Sequence, residues 1–246
     1  MTATPLRRSP DHMFVTALVT VPYVYEGQLR PGTHFTIRDI NGSVRVRTGE
    51  RLIVHATKTA TRGNPQAVTI RVDHRPDGLV VCVRYPPNTN SRCDDVEGRP
   101  MPNNDTRIDF DVTIPRGVAL DAATVNGGLD AQADGRVDLA SVNGRVAYTG
   151  SGAVSVETVN GSIVVHERGR SGSLDVKDVN GSIDVSIPPG AGITLSAHTI
   201  SGDIVAPGFD VERPTYGVGA GASGKRGDGA LKVSIENVSG PIRLHF

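Results

Sequence analysis

The 246-residue chain has no tryptophan, only five phenylalanines, five tyrosines and two cysteines, and no net charge. Without aromatic blocks, a core has to be assembled from thin stripes of Val, Ile, Leu and Ala. Lys+Arg 26 balance Asp+Glu 26, so the chain lacks the basic excess or basic face of a nucleic-acid binder, and no nucleic-acid partner is expected. No run of 18 apolar residues occurs, which excludes a membrane-spanning helix. The seven histidines are scattered, with no pair at ligand spacing and none beside a Ser or Cys nucleophile. His166 and His198 read as face or turn residues, and neither metal nor cofactor is expected.

The two cysteines, Cys82 and Cys93, flank the turn-prone stretch Tyr85-Pro86-Pro87-Asn88-Thr89-Asn90. Their spacing, with no nearby His, is poor for a metal. A disulfide closing a small loop is expected, worth roughly 3 kcal/mol, and with it an extracytoplasmic location. Residues 1–23 have the order of a leader, Arg7-Arg8 and then the apolar run Met13-Phe14-Val15-Thr16-Ala17-Leu18-Val19. Asp11 and His12 interrupt that order and no small-residue cleavage site follows. A leader, its remnant and an added first strand all stay open.

What the chain has in quantity is Gly 29 and Pro 16 with no Gly-every-third period, which fits many turns and excludes collagen. From Tyr25 onward the pattern is short β-branched runs: Phe35-Thr36-Ile37, Val44-Arg45-Val46, Val68-Thr69-Ile70-Arg71-Val72 and Ile108-Asp109-Phe110-Asp111-Val112. These read as strands.

One phrase then recurs. Thr124-Val125-Asn126-Gly127 is followed by Ser141-Val142-Asn143-Gly144, Thr158-Val159-Asn160-Gly161, Asp178-Val179-Asn180-Gly181, Thr199-Ile200-Ser201-Gly202 and Asn237-Val238-Ser239-Gly240, with a distant copy at Asp39-Ile40-Asn41-Gly42. The first asparagines are 17 residues apart, and the next steps are 20 and 21. Asn-Gly between alternating strands is a hairpin signal, which would give an antiparallel meander or barrel. A constant Val or Ile before the Asn favours instead a single-domain β-solenoid of stacked 17–21-residue coils. In that reading Val125, Val142, Val159, Val179, Ile200 and Val238 form an inner column. Asn41, Asn126, Asn143, Asn160 and Asn180 form a structural ladder of side-chain amides. The regular repeats occupy 118–246, with a Gly-rich insertion at 207–229 expected to be a mobile loop or loose hairpin. The closing run Pro241-Ile242-Arg243-Leu244-His245-Phe246 is expected at an exposed terminal edge, available to another chain.

Residues 24–246 resemble the bacterial β-strand-repeat family that bears the name "putative adhesin", a domain of unknown function. The resemblance is carried by the Thr/Ser-Val-Asn-Gly phrase, by Val112-Thr113-Ile114-Pro115-Arg116-Gly117-Val118 at the entry to the repeats, by the Gly-rich insertion, and by the closing Val238-Ser239-Gly240-Pro241-Ile242-Arg243-Leu244. It implies a right-handed β-helix-like fold in the cell envelope, and it supplies no catalytic residues. Ser201 and Ser239 depart from the usual Asn and shorten the expected ladder.

Other motifs have plain readings. Gly219-Ala220-Gly221-Ala222-Ser223-Gly224-Lys225-Arg226 matches a phosphate-loop pattern, but no helical period follows and the Ser/Thr for magnesium is missing. Arg226-Gly227-Asp228 is a tripeptide that some receptors read, here in a Gly- and Arg-rich stretch. Asp130, Asp138, Asp175, Asp184 and Asp203 sit between apolar strand residues and should face solvent, which gives glycoside chemistry neither cleft nor desolvation. Asp94, Asp95, Glu97, Asn103, Asn104 and Asp105 lack any fixed calcium spacing. Asn-x-Ser/Thr at Asn41, Asn160 and Asn180 is a by-product of the repeat. The expected function is that of a non-enzymatic envelope or surface scaffold engaging a protein or glycan partner, or its own copies. The alternative is a protein that binds or cleaves polysaccharide.

Overall fold

Alternating strands send every second side chain to one face, and the computed structural model shows where each set goes. It describes residues 18–87, 89–94, 104–213 and 219–246. The basic and apolar start of the possible leader lies outside them, as do Asp95, Glu97 and Asn103. Before the regular repeats come β1 (Val19–Gly27), β2 (His34–Arg38), β3 (Val44–Gly49), β4 (Leu52–Ala60), β5 (Thr69–Arg75), β6 (Gly78–Arg84) and β7 (Arg107–Pro115). The repeats contribute β8 (Ala119–Asn126), β9 (Leu129–Asn143), β10 (Val146–Asn160), β11 (Ile163–Glu167), β12 (Gly172–Asn180), β13 (Ile183–Ser186), β14 (Ile193–Ser201) and β15 (Ile204–Val205). The chain closes with β16 (Val211–Glu212), β17 (Ala220–Arg226), β18 (Leu231–Ser239) and β19 (Ile242–His245).

The repeats stack in parallel. Val137 pairs with Val154, Leu139 with Val156 and Asn143 with Asn160, and the next step sets Val154 on Leu174 and Val156 on Val176. This is a β-solenoid. The hairpin reading of Asn-Gly fails because Asn126 and Asn143 lie side by side in neighbouring coils. Each coil has two strand segments joined by two corners, and apolar columns from both, aliphatic but for Phe35, fill the interior. One runs Phe35, Leu120, Val137, Val154, Leu174, Val233 and Leu195; its opposite runs Val44, Leu129, Val146, Ile163, Ile183, Ile242 and Ile204. All are at most 3% exposed. Many columns of branched side chains stand in for the missing aromatics.

The asparagine ladder is present at one corner. Asn126 Nδ2 donates to Asn41 Oδ1 at 2.9 Å, Asn143 to Asn126 at 3.0 Å, Asn160 to Asn143 at 3.0 Å and Asn180 to Asn160 at 3.2 Å. The following glycine is forced by packing. A Cβ on Gly144 would sit 2.0 Å from Gly127 O, and one on Gly161 2.0 Å from Gly144 O.

The column of valines is not where hydrophobicity alone puts it. Val125, Val142, Val159, Val179, Ile200 and Val238 are 38–47% exposed. Alternation carries through the corner without a break: Val156 is inside, Glu157 outside, Thr158 inside, Val159 outside. The inner column before the Asn is therefore polar: Asp39, Thr124, Ser141, Thr158, Asp178, Asn237 and Thr199, all buried.

Stacking order departs from chain order at both ends. β2 lies between β6 and β8, and β3 between β7 and β9. At the other end β18 lies between β12 and β14, and β19 between β13 and β15. Ile242 and Arg243 of the closing run are thus flanked on both sides, whereas Leu244 and His245 pair with β13 alone, so the run is not the end coil of the stack that the sequence suggests. The described parts of the insertion include a short antiparallel pair, β16 with β17, as in the hairpin alternative, and β17 also pairs antiparallel with β14. They cap that end instead of forming a mobile loop. Antiparallel strands cover the opposite end, β5 on β6 and β4 between β1 and β7. The disulfide joins Cys82 of β6 to Cys93, and the loop is held to β5 by Cys93 N donating to Asp73 Oδ2 at 2.9 Å.

Two stability tests follow from this register. Asn143→Ala removes two exposed amide bonds and should cost about 1 kcal/mol, a fall of about 2–4 °C in Tm, whereas Gly144→Ala should cost several times more because backbone must move. Val159→Thr should change stability by less than about 0.5 kcal/mol, while Val156→Thr buries a hydroxyl and should cost about 1–3 kcal/mol. Thermal denaturation followed by circular dichroism reads both comparisons; equal losses within either pair would contradict the register.

Candidate functional site

The outward valines line a concavity. A trough of about 950 Å³ runs along the stacking axis at the Val-Asn-Gly corner. One wall is Val125, Val142, Val159, Val179, Val238 and Ile200 in stacking order, and the floor includes Asp39, Thr124, Ser141, Thr158, Asp178 and Asn237. The facing rim is Arg38, Ala123, Ala140, Glu157, Lys177, Glu236 and His198. Six wall residues at one inter-strand spacing each give an apolar stripe about 24 Å long. A continuous exposed stripe of this kind marks an interaction surface more often than scattered apolar residues do.

The rim is mixed in sign. Arg38 Nη1 donates to Asp121 Oδ1 at 2.8 Å, and its second nitrogen also binds that carboxylate. Lys177 Nζ lies 3.9 Å from Asp175. The trough therefore presents no single-sign field that would select a polyanion or polycation.

The floor is a column of short polar side chains, most of them donating to the glycine carbonyl of the neighbouring coil. Ser141 Oγ reaches Gly127 O at 3.1 Å, Thr124 Oγ1 reaches Gly42 O at 3.4 Å, and Thr199 Oγ1 reaches Gly240 O at 3.3 Å. Asn237 Nδ2 reaches Gly181 O at 3.0 Å. Two carboxyls interrupt the series. Burial pushes Asp39 up to about 7, against the Ile40 and Asn41 amides and with Asp109 adding to the rise. Burial likewise pushes Asp178 up to about 6, against the Val179 and Asn180 amides. All four of their carboxyl oxygens are buried, and none meets a side-chain donor among the described residues; only those adjoining amides lean toward them.

Raised carboxyls in a concavity are the ingredients of acid–base catalysis, but this arrangement does not deliver them. Asp39 and Asp178 are four inter-strand steps apart, about 19 Å, beyond the separation that glycoside hydrolysis uses. Both are only 4% exposed, with their oxygens turned into the coil. A third buried carboxyl, Glu167, is raised chiefly by burial, and it accepts from Gly169 N at 2.6 Å at the opposite corner.

The aspartates singled out in the sequence are split between the two sheets. Asp138 and Asp175 share the face that carries the trough rim; Asp130 and Asp184 lie on the other. Asp130 faces Arg45, Asp138 pairs with Arg136, Asp184 with Arg243, and Asp203 with Arg213. No catalytic row forms. Arg226 stacks its guanidinium 3.9 Å from the Phe246 ring centroid, and Asp228 accepts from Ala230 N at 3.1 Å, so both charged members of Arg226-Gly227-Asp228 are engaged within the end cap. The phosphate-loop match falls on strand β17, with no helix after it. Of the acidic and amide residues around 94–105, Asp105 accepts from Thr61 and Arg62 amides and Asn104 from Thr106 N. Among the described residues no group of three or more His, Cys, Asp or Glu gathers as a metal site, and no helix is long and apolar enough to cross a membrane.

Sequence reasoning missed the trough. The signal was available in the repeat, where Asp39 and Asp178 occupy the position that holds Thr or Ser in most other copies. Strand alternation places that position inside and the next one outside.

No curated protein matches the chain. Among solved structures, the chain is similar to a "putative cell adhesion protein" from Clostridium sporogenes, at 14% identity over 92% of this chain and 99% of that one, with a TM-score of 0.49. It is also similar to a "putative adhesin" from Bacteroides fragilis, at 9% identity over 92% and 97%, with a TM-score of 0.27. A "putative lipid binding protein" from Parabacteroides distasonis matches at 8% identity over 91% and 96%, with a TM-score of 0.22. The family model described as Toastrack DUF4097 matches residues 117–245, the whole region of regular coils; the chain belongs to the Toastrack DUF4097 family.

Proposed function

We propose that this chain is a non-enzymatic interaction scaffold of the cell envelope and that the valine trough is its contact surface. The observation that carries the reading is the exposure of six β-branched side chains in one unbroken line, where a solvated polar residue would be the ordinary choice. The disulfide suits an oxidising, extracytoplasmic compartment.

The trough also bears on the kind of partner. Strands beneath it are bonded to neighbours on both sides, so it offers no free backbone groups. An extended peptide laid there would bury its own unpaired amides, at a cost. An amphipathic helix satisfies its backbone internally and brings an apolar stripe. A wall of about 24 Å accommodates roughly 16 helical residues. The mixed rim charges suit a partner helix with both signs on its flanks. The lack of aromatic platforms at the trough counts against a glycan there.

The enzyme reading keeps one supporting feature, the exposed Glu157 and Glu236 on either side of Lys177 along the rim. It lacks an accessible acid of raised pKa beside them.

A designed amphipathic helix, with Leu at every third and fourth position and Glu and Lys on its flanks, is the probe. Binding should shift the methyl resonances of Val142, Val159 and Val179 in nuclear magnetic resonance titrations, and Val142→Glu with Val159→Glu should weaken it by at least about tenfold, roughly 1.4 kcal/mol. Shifts confined to another face, or no binding at all, would sink the trough as a contact surface; turnover of a glycan panel by the purified chain would replace the scaffold reading with the enzymatic one.

A further inference from the structure

The floor column supports an inference independent of any partner. In stacking order it reads Asp39, Thr124, Ser141, Thr158, Asp178, Asn237 and Thr199. Five of these donate in the same direction, each to the carbonyl beside it in the preceding coil: Thr124 to Gly42, Ser141 to Gly127, Thr158 to Gly144, Asn237 to Gly181 and Thr199 to Gly240. The acceptor left over by this rule is Gly161 O, and the residue at that step is Asp178. A Cβ built on Gly181 would lie 1.5 Å from Gly161 O and 2.6 Å from Asp178 Oδ2, so the carbonyl and the carboxyl crowd one point. An ionised carboxylate has no proton to give, and two acceptors face each other at this step. On the next coil Asn237 Oδ1 is a further buried acceptor without a partner.

We infer that the protonated Asp178 carboxyl is the missing donor of the floor ladder, and that its ionisation loosens the joint between the coils of β10 and β12 beneath the trough. Among the described residues no cation faces this carboxyl, and the groups that favour its charged form are the Val179 and Asn180 amides alone, which burial outweighs. From β10 and β18 the facing side chains are the uncharged Thr158 and Asn237. Lys177 on the same strand points outward and lies near Asp175, and Glu157 and Glu236 stand on that outer face. β11 and β13 turn Ile163, Val165, Ile183 and Val185 inward, with Glu167 at the far end of β11. The rise of this carboxyl to about 6 has burial as its first cause, with no compensating cation. Asp39 is a second carboxyl in the column, set against β6, with Arg107 and Asp109 bearing on it.

The sign follows from linkage. A folded-state value raised above the unfolded one, about 4, means the folded chain binds the extra proton. The stabilisation is complete below about pH 4 and is lost as pH rises through about 6. Asp178→Asn, which can donate as Asn237 does, and Asp178→Thr, which restores the residue of Thr158, should match the native chain in Tm near pH 3.5. At about pH 8 each should exceed it by about 5 °C. The reverse implant, Thr158→Asp, should add a new loss of similar size between the same two pH values. In the native chain, the Asp178 carboxyl-carbon resonance should titrate well above the ordinary aspartate range. Variants that track the native chain at both pH values, or an Asp178 resonance that titrates near 4, would overturn the inference.

Discussion

The backbone ladder between successive coils sets the terms for everything else in this molecule. Parallel, in-register pairing places residue n of one coil over residue n of the next at a fixed spacing. Each position in the repeat therefore becomes a column, and a column must tolerate its own kind as neighbour. Branched aliphatics do so inside and asparagine amides do so at the corner, each giving one proton and accepting one. Glycine is required where a carbonyl of the preceding coil fills the place of a side chain. An aspartate in a buried column is the poorest tenant, since its charged form cannot donate, and the chain has two.

Much of this was legible in the residues. The repeat spacing and the constant Asn-Gly gave the coil length, the parallel stack and the ladder, including Asn41, which is bonded to Asn126 from 85 positions away. The disulfide followed from spacing alone. Val159 shows where the residues mislead: its hydrophobicity points inward, while the register set by Val154, Val156 and Thr158 turns it outward. That conflict conceals the trough, because a wall of valines assigned to the core leaves no surface to notice.

The order of the coils was not legible. Columns of like residues make every coil a fair neighbour for every other, so similarity between repeats carries no information about which pair touches. The caps were hidden for a related reason. β17, with sequence Ala-Gly-Ala-Ser-Gly-Lys-Arg, has small residues that suit close packing on β14, and the same residues read as a loop when no partner strand is in view.

Placing β18 and β19 between strands that precede them also has a consequence in time. The coil of β14 and β15 has no parallel seat on the stack until residues 231–245 are in place, because among the described residues its parallel neighbours are β18 and β19 alone. The solenoid cannot be completed by laying down one coil after another as the chain appears. Its last three layers close together, a non-local step of the kind that slows β-rich folding. During that interval the upper edge of β12 and β13 stands open.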